Sequence, residues 1–412
     1  MKIDQESLHQ GVHKAFAPLG HPEHSDPTPL SFRQGSCAPD GGQVRFLNGN
    51  DQESKERRTS AKFLALIGAM LVLMISVQAQ MAQKGVRVVP NEASRRVDVL
   101  VDGQPFTSYI WPESLMKPVL YPLHAADGTL ITRGFPLDPR SGERVDHPHQ
   151  VGLWFSYGDV NGVDFWNNST ARTAAEKAHM GTTLHRRIVS TKNGKERGEL
   201  EVETDWLGPD GKAILREHVR FVFHAAPGLR AIDRITTLTA LTQRVVFRDS
   251  KEGLFGLRVR RELEQPSTES LVFTDDQGRP TSVPKMDNTG VTGLYRSSEG
   301  KTGDDVWGTR GRWAILTGMV SQKPITLAIL DHPKNVGSPT YWMARGYGLF
   351  AANPLGQKAY STDKKEAPIR ELNFTLEPQQ SATLRFRLLI LSQTASPKDL
   401  DEQYRKFSAE VH

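Results

Sequence analysis

From about Val86 to Leu391 the chain is a succession of short runs in which polar and apolar residues alternate. That period of two restricts its fold more than any other feature. Val97–Val101 leads into Asp102-Gly103, a hairpin turn signal, and Glu199–Trp206 and His218–His224 alternate along their whole length. Further runs follow at Ala231–Leu241, Arg244–Phe247, Leu254–Val259, Trp313–Met319 and Ile325–Leu330. A last pair, Leu372–Leu376 and Ala382–Leu391, flanks the polar turn Glu377-Pro378-Gln379-Gln380. Alternation rich in β-branched and aromatic residues predicts antiparallel sheets, with one side of each strand in a core and the other side wetter.

Helical patterns are scarce. Thr170–His179 predicts a short helix. Pro397–Ala409 predicts a better one, with Ser396 as N-cap and Pro397 in the first turn. Strands without alternating helices exclude doubly wound and TIM-barrel architectures. The expected fold is all-β: a large antiparallel β-sandwich over residues 86–395, followed by a C-terminal helix in 396–412.

The N-terminal part has a different character. Residues 1–54 lack periodicity and read as a disordered leader or a mis-set start. Within 55–80, Lys55–Arg58 and Lys62 precede the apolar run Phe63–Val77 and the small-residue site Val77-Gln78-Ala79. This is the pattern of a signal peptide, and the run is short for a spanning helix. The expectation is an exported protein, periplasmic or extracellular, with its start codon set too early. The alternative is a membrane anchor through residues 63–77. The single cysteine, Cys37, precedes this segment, so the exported part would hold no disulfide and no cysteine-based metal site. A formal charge of +5 without a long basic run gives no reason to expect nucleic acid.

Two stretches concentrate groups that are costly to bury. Asp146-His147-Pro148 continues through His149, Gly152 and Trp154. A second copy, Asp331-His332-Pro333, continues through Asn335, Trp342, Arg345, Tyr347 and Asn353. They are expected to form two walls of one cleft. His147, His149 and His332 are the candidate catalytic imidazoles, and Glu252, at the lip of a strand beside Lys251, is the candidate carboxylate. Trp154, Lys251, Trp342, Arg345, Tyr347 and Asn353 are the candidate binding residues; a fixed guanidinium beside aromatic rings suits carboxylates or vicinal hydroxyls. The His147-Pro148-His149 spacing also permits a metal site, but Gln150–Ser156 supplies no carboxylate ligand, so no cofactor is expected. Asn161-Gly162 reads as a type I′ turn and not as part of a calcium loop. Gly346–Ala351 mimics a dinucleotide fingerprint without a βαβ context. Ser114–Lys117 mimics a penicillin-binding serine motif, but Pro118 follows where a helix is needed.

Lys117–Leu123, Asp146–His149, Gly152–Phe155, Gly158–Trp166, Glu252-Gly253, Phe255-Gly256 and Asp331–Gly356 together resemble an exported bacterial family of uncharacterised function. That family is labelled PmoA-like or "methane oxygenase", and here Gln150 stands where its members usually carry another histidine. The label does not suit the composition, because a methane monooxygenase membrane subunit needs several spanning helices and this chain has one apolar run. The strand pattern is similar instead to the galactose-mutarotase-type supersandwich. This resemblance implies a small-molecule or oligosaccharide substrate on a concave sheet face, handled by histidine and glutamate acid–base chemistry. A non-catalytic glycan-binding module, and a metal-dependent oxidoreductase using His147, His149 and His332, are the alternatives.

Overall fold

Strand alternation is realised as two antiparallel sheets packed face to face. The computed structural model describes residues 84–283, 287–367 and 369–410, all within one packed unit, Met70–His412. The leader, the apolar run 63–77 and Cys37 lie outside the described residues. Among the described residues, no helix is long and apolar enough to cross a membrane.

The first sheet has nine strands in the spatial order Val86–Asn91, Arg96–Val101, Gln104–Ile110, Val119–Leu120, Leu153–Tyr157, Gly253–Arg258, Leu349–Asn353, Thr340–Arg345 and Arg310–Gly311. The second has eight: Leu294–Ser297, Trp313–Val320, Lys323–Asp331, Ser381–Leu391, Leu229–Ala240, Ala213–Ala226, Arg197–Leu207 and Thr182–Lys192. The expected hairpin turn is present, with Asp102 at φ 51° and Gly103 at φ 80°. Asn161-Gly162 likewise turns with both φ positive.

Alternation sorts side chains onto three layers. Between the sheets, Phe155, Phe255, Leu257, Trp342, Phe350 and Ala352 meet Trp206, Phe221, Leu327, Ile329 and Phe386 in one core. Each of the larger side chains among these contributes about 1.5–3 kcal/mol by leaving water. The charged Glu217 enters this layer only because Thr204, the Trp206 indole and Arg234 all donate to it.

On the far face of the eight-stranded sheet, Trp313, Ala328, Leu330 and Leu389 pack under Leu400 and Phe407 of the C-terminal helix Pro397–Ala409. The helix begins where the sequence predicts, and Ser396 and Asp399 form a reciprocal capping box. The predicted Thr170–His179 helix shrinks to one turn, Ala174–Lys177, because the segment buries no apolar side chain to extend it.

On the opposite face of the nine-stranded sheet, a smaller apolar group contains Tyr121, Trp154, Trp166, Met343 and Ala351, edged by Trp307 and Tyr347. Register places Trp154, Gly256, Ala351 and Met343 side by side across four strands. Gly256 is required there, since a Cβ on it would lie 2.7 Å from the Trp154 ring. This face carries the polar groups described next.

Candidate functional site

The turn 146–150 crosses the outer face of the nine-stranded sheet at the end where Arg258 closes its strand. His147 adopts a left-handed backbone, φ 41°, which turns its ring outward and leaves its side chain 40% exposed. Its Nδ1 lies 3.2 Å from Asp146 Oδ2. The ring stacks on Tyr347 at 5.0 Å and 8°, and meets His149 edge-on at 5.6 Å.

Asp146 is held from behind by two buried guanidiniums. Arg258 Nη2 donates to Oδ1 at 2.6 Å and Arg133 Nη1 donates to the same oxygen. Burial alone would raise the Asp146 carboxyl, but Arg258, His147 and Arg133 hold it well below the usual carboxylate range. Arg133 also donates to the carbonyls of His147 and Gln150, so it fixes the turn itself. Gln150 accepts from Arg258 Nη1, and the Arg258 guanidinium sits 4.7 Å from the Tyr347 ring centre. Exposed imidazole, anionic carboxylate and buried arginines thus form a graded stack from solvent to sheet.

Beyond Tyr347 the surface opens into a cleft of about 430 Å³ lined by Arg144, Gln265, Asp304, Trp307, Arg345 and Tyr347, among others. That size lies within the ordinary range for small-ligand sites. Arg345 leaves its strand outward and lies over Trp307, 3.2 Å from the ring centre. Arg144 is buried and paired with Glu264 at 2.6 Å, and Gln265 donates to Asp304 at 2.6 Å.

On the other side of His147 the environment closes. His149 is 6% exposed and neither ring nitrogen has a hydrogen-bond partner in the chain. Burial, reinforced by the charges of Lys117, His147, Arg172 and Arg258, pushes its pKa down to about 2, so it stays neutral. Lys117 is also buried. Its ammonium donates to the carbonyls of Phe165 and Trp166, and burial, opposed by Asp164, pulls it down to about 7.

The ten residues picked from sequence are therefore not one cluster. His147, His149, Arg345 and Tyr347 share this face and neighbourhood. Trp154 shares the face but is 1% exposed beneath Trp166, so it is a floor and not a contact surface. Trp342 points the other way, into the core between the sheets, because alternation puts it inward between outward Tyr341 and Met343.

His332 is corrected more strongly. It is 1% exposed and packs edge-on against Phe407 of the C-terminal helix, on the far side of the other sheet. The second Asp-His-Pro is a turn: Asp331 accepts from Asn335, Ser338 and the Thr340 backbone, and His332 Nδ1 accepts from the Lys334 backbone. The two copies do not face one cavity.

Glu252 and Lys251 pair with each other at 2.6 Å at the opposite end of the strand from Arg258, roughly 20 Å away by strand rise. Asn353 is fully buried and ties the 250–252 loop by donating to the carbonyls of Ser250 and Lys251. Among the described residues, no three or more of His, Cys, Asp and Glu gather as a metal site. His147, His149 and His332 therefore do not form the triad that the metal alternative required. Sequence reasoning missed Arg133, Gln150, Arg258 and Trp307. Arg258 carried one visible signal, a charge at an outward position of a strand otherwise apolar throughout.

A match to known families covers residues 96–405, to a family described as "Family of unknown function (DUF6807)". Its description gives no support to the PmoA-like label. No curated protein sequence matches the chain. Among solved structures, galactose 1-epimerase from Lactobacillus acidophilus is similar at 11% identity, over 75% of this chain and 99% of that one, with a TM-score of 0.35. A putative aldose 1-epimerase from Escherichia coli K12 gives 9% identity over 75% and 99%, with a TM-score of 0.31. Likeness at this level carries no argument about ligand or reaction.

Proposed function

This chain belongs to the DUF6807 family of unknown function, and we propose that it binds a carbohydrate in the Trp307–Arg345–Tyr347 cleft, with His147 as the group that exchanges protons with it. The observation that carries this reading is the His147 ring stacked on Tyr347, itself a cleft-lining residue, with Asp146 behind the imidazole. An imidazole exchanges protons near neutral pH; the Tyr347 stack orients this ring, the anionic Asp146 carboxylate lies 3.2 Å from its Nδ1, and Nε2 is left for a ligand. Trp307 and Tyr347 line the cleft with aromatic carbon, and Arg345, Gln265 and Asp304 offer donors and acceptors to hydroxyls.

A panel of mono- and oligosaccharides, assayed for binding and for turnover, tests the reading. His147→Ala should remain folded, keep measurable binding and lose turnover. Turnover unchanged in that variant refutes the acid–base role. Binding without turnover in the wild type, insensitive to pH across the histidine range, leaves a non-catalytic glycan-binding module. That second reading is favoured by one observation: Glu252, the carboxylate chosen as partner, is far from His147.

We also propose export, with cleavage after the apolar run 63–77. N-terminal sequencing of the protein from its native host should begin beyond that run; an intact run would leave it as an anchor.

A further inference from the structure

Four polar side chains converge on a small cavity beneath the 146–150 turn. Lys117, His149, Asn168 and Ser169 line about 20 Å³ of space together with Pro136, Pro148 and Val151. All four are more than nine-tenths buried. His149 Nδ1 and Nε2, Asn168 Oδ1 and Ser169 Oγ have no hydrogen-bond partner in the chain. Asn168 is oriented by its own amide, which donates to the Gly181 carbonyl at 2.8 Å, so its oxygen is the acceptor left over. Lys117 donates to the Phe165 and Trp166 carbonyls and, as the ammonium present below about pH 7, keeps a third proton.

Buried polar atoms without partners are rare in folded chains, and several around one cavity point to a ligand that satisfies them together. About 20 Å³ exceeds the roughly 10–15 Å³ that one water needs and is too small for a sugar. We propose that this cavity is a binding site for a single water molecule, shared by Lys117, His149, Asn168 and Ser169, and that the water fixes which nitrogen of His149 carries the proton. Lys117 is thereby a positioning residue for His149, which in turn meets His147 edge-on.

The chemistry is consistent on both sides of the water. Lys117 and Ser169 can donate to it, while Asn168 Oδ1 and the unprotonated nitrogen of His149 can accept from it. A neutral imidazole suits this role and a charged one does not; His149 is kept neutral by its burial and by the surrounding charges of Lys117, His147, Arg172 and Arg258. Leu115, Met116 and Lys117 also line a neighbouring open cleft beside Trp111 and His185, so this segment borders both spaces. The inference does not depend on what the outer cleft binds.

The test is a crystal structure of the full chain at a resolution that orders buried solvent, together with ¹⁵N spectra of the histidine rings. One solvent peak is expected within about 2.7–3.2 Å of at least three of the four side chains, and His149 should show a single neutral tautomer. Lys117→Met, or Ser169→Ala if that variant does not fold, should shift His149 to a mixture of tautomers with the His147 signals still those of a folded protein. A dry cavity overturns the proposal. So does an anomalous peak there after bromide soaking, which identifies an anion, and so does an unchanged His149 tautomer in the folded variant.

Discussion

Replacing Lys117 by Met tests the electrostatics of the buried layer under the site. Met has a similar length and no charge. Burial takes the Lys117 amine from its ordinary 10.5 to about 7 in the fold. At about 1.4 kcal/mol for each tenfold step, that difference corresponds to roughly 5 kcal/mol. Between these two values the unfolded chain carries a proton on Lys117 that the folded chain lacks. Folding then releases a proton, so this residue makes stability rise with pH from about 7 to about 10 and stay flat below 7. Over that window the wild type should gain about 4 kcal/mol relative to Lys117→Met. Met also leaves the Phe165 and Trp166 carbonyls without the ammonium, which shifts the variant's stability by an amount independent of pH. The slope of the difference therefore isolates the amine. Urea unfolding of both proteins at pH 7, 8, 9 and 10 measures it, and other titrating groups cancel in the subtraction. A difference constant to within about 1 kcal/mol would refute the reasoning, because it would mean that the ammonium keeps its charge in the fold.

Asp146→Asn should cost about 3–5 kcal/mol, since it leaves the buried guanidiniums of Arg133 and Arg258 without their shared anion. Because the Asp146 carboxyl is depressed in the fold, its contribution is present above the unfolded value near 3.9 and lost as pH falls, so acid titration of stability should be flatter in the variant. Gly256→Ala should cost about 1–3 kcal/mol by driving a methyl against the Trp154 indole, with a change in near-ultraviolet circular dichroism as the second readout. His332→Ala should cost about 1 kcal/mol or more and speed hydrogen exchange in residues 397–409. It should leave sugar binding unchanged, and weakened binding would revive the two-walled cleft.

The fold was largely legible because alternation is a local signal that tertiary packing reinforced. Glu199–Trp206, Ala231–Leu241 and Ala382–Leu391 each became a strand within a few residues of the expected bounds. The C-terminal helix was legible for the same reason, with cap, proline and apolar stripe in agreement. The site was only half legible. His147, Arg345 and Tyr347, chosen for their chemistry, lie together on one face, yet sequence spacing holds no information about which of two sheets a turn belongs to. His332 and Trp342 failed on that point: one faces a helix and the other faces the core. Arg133, Gln150 and Arg258 were missed because their role is to hold Asp146 and the turn, a relation between distant strands that no short motif encodes.

The helix Pro397–Ala409 covers the face of the sandwich opposite the Trp307–Tyr347 cleft, and the chain leaves the described fold from there. That arrangement gives the molecule a back and a front. A linker, affinity tag or surface tether attached after the helix would depart from the back, so protein immobilised by its C-terminus would present the cleft to solution without shading it. Ligand screening on a chip or bead is therefore best carried out with the tether at that end.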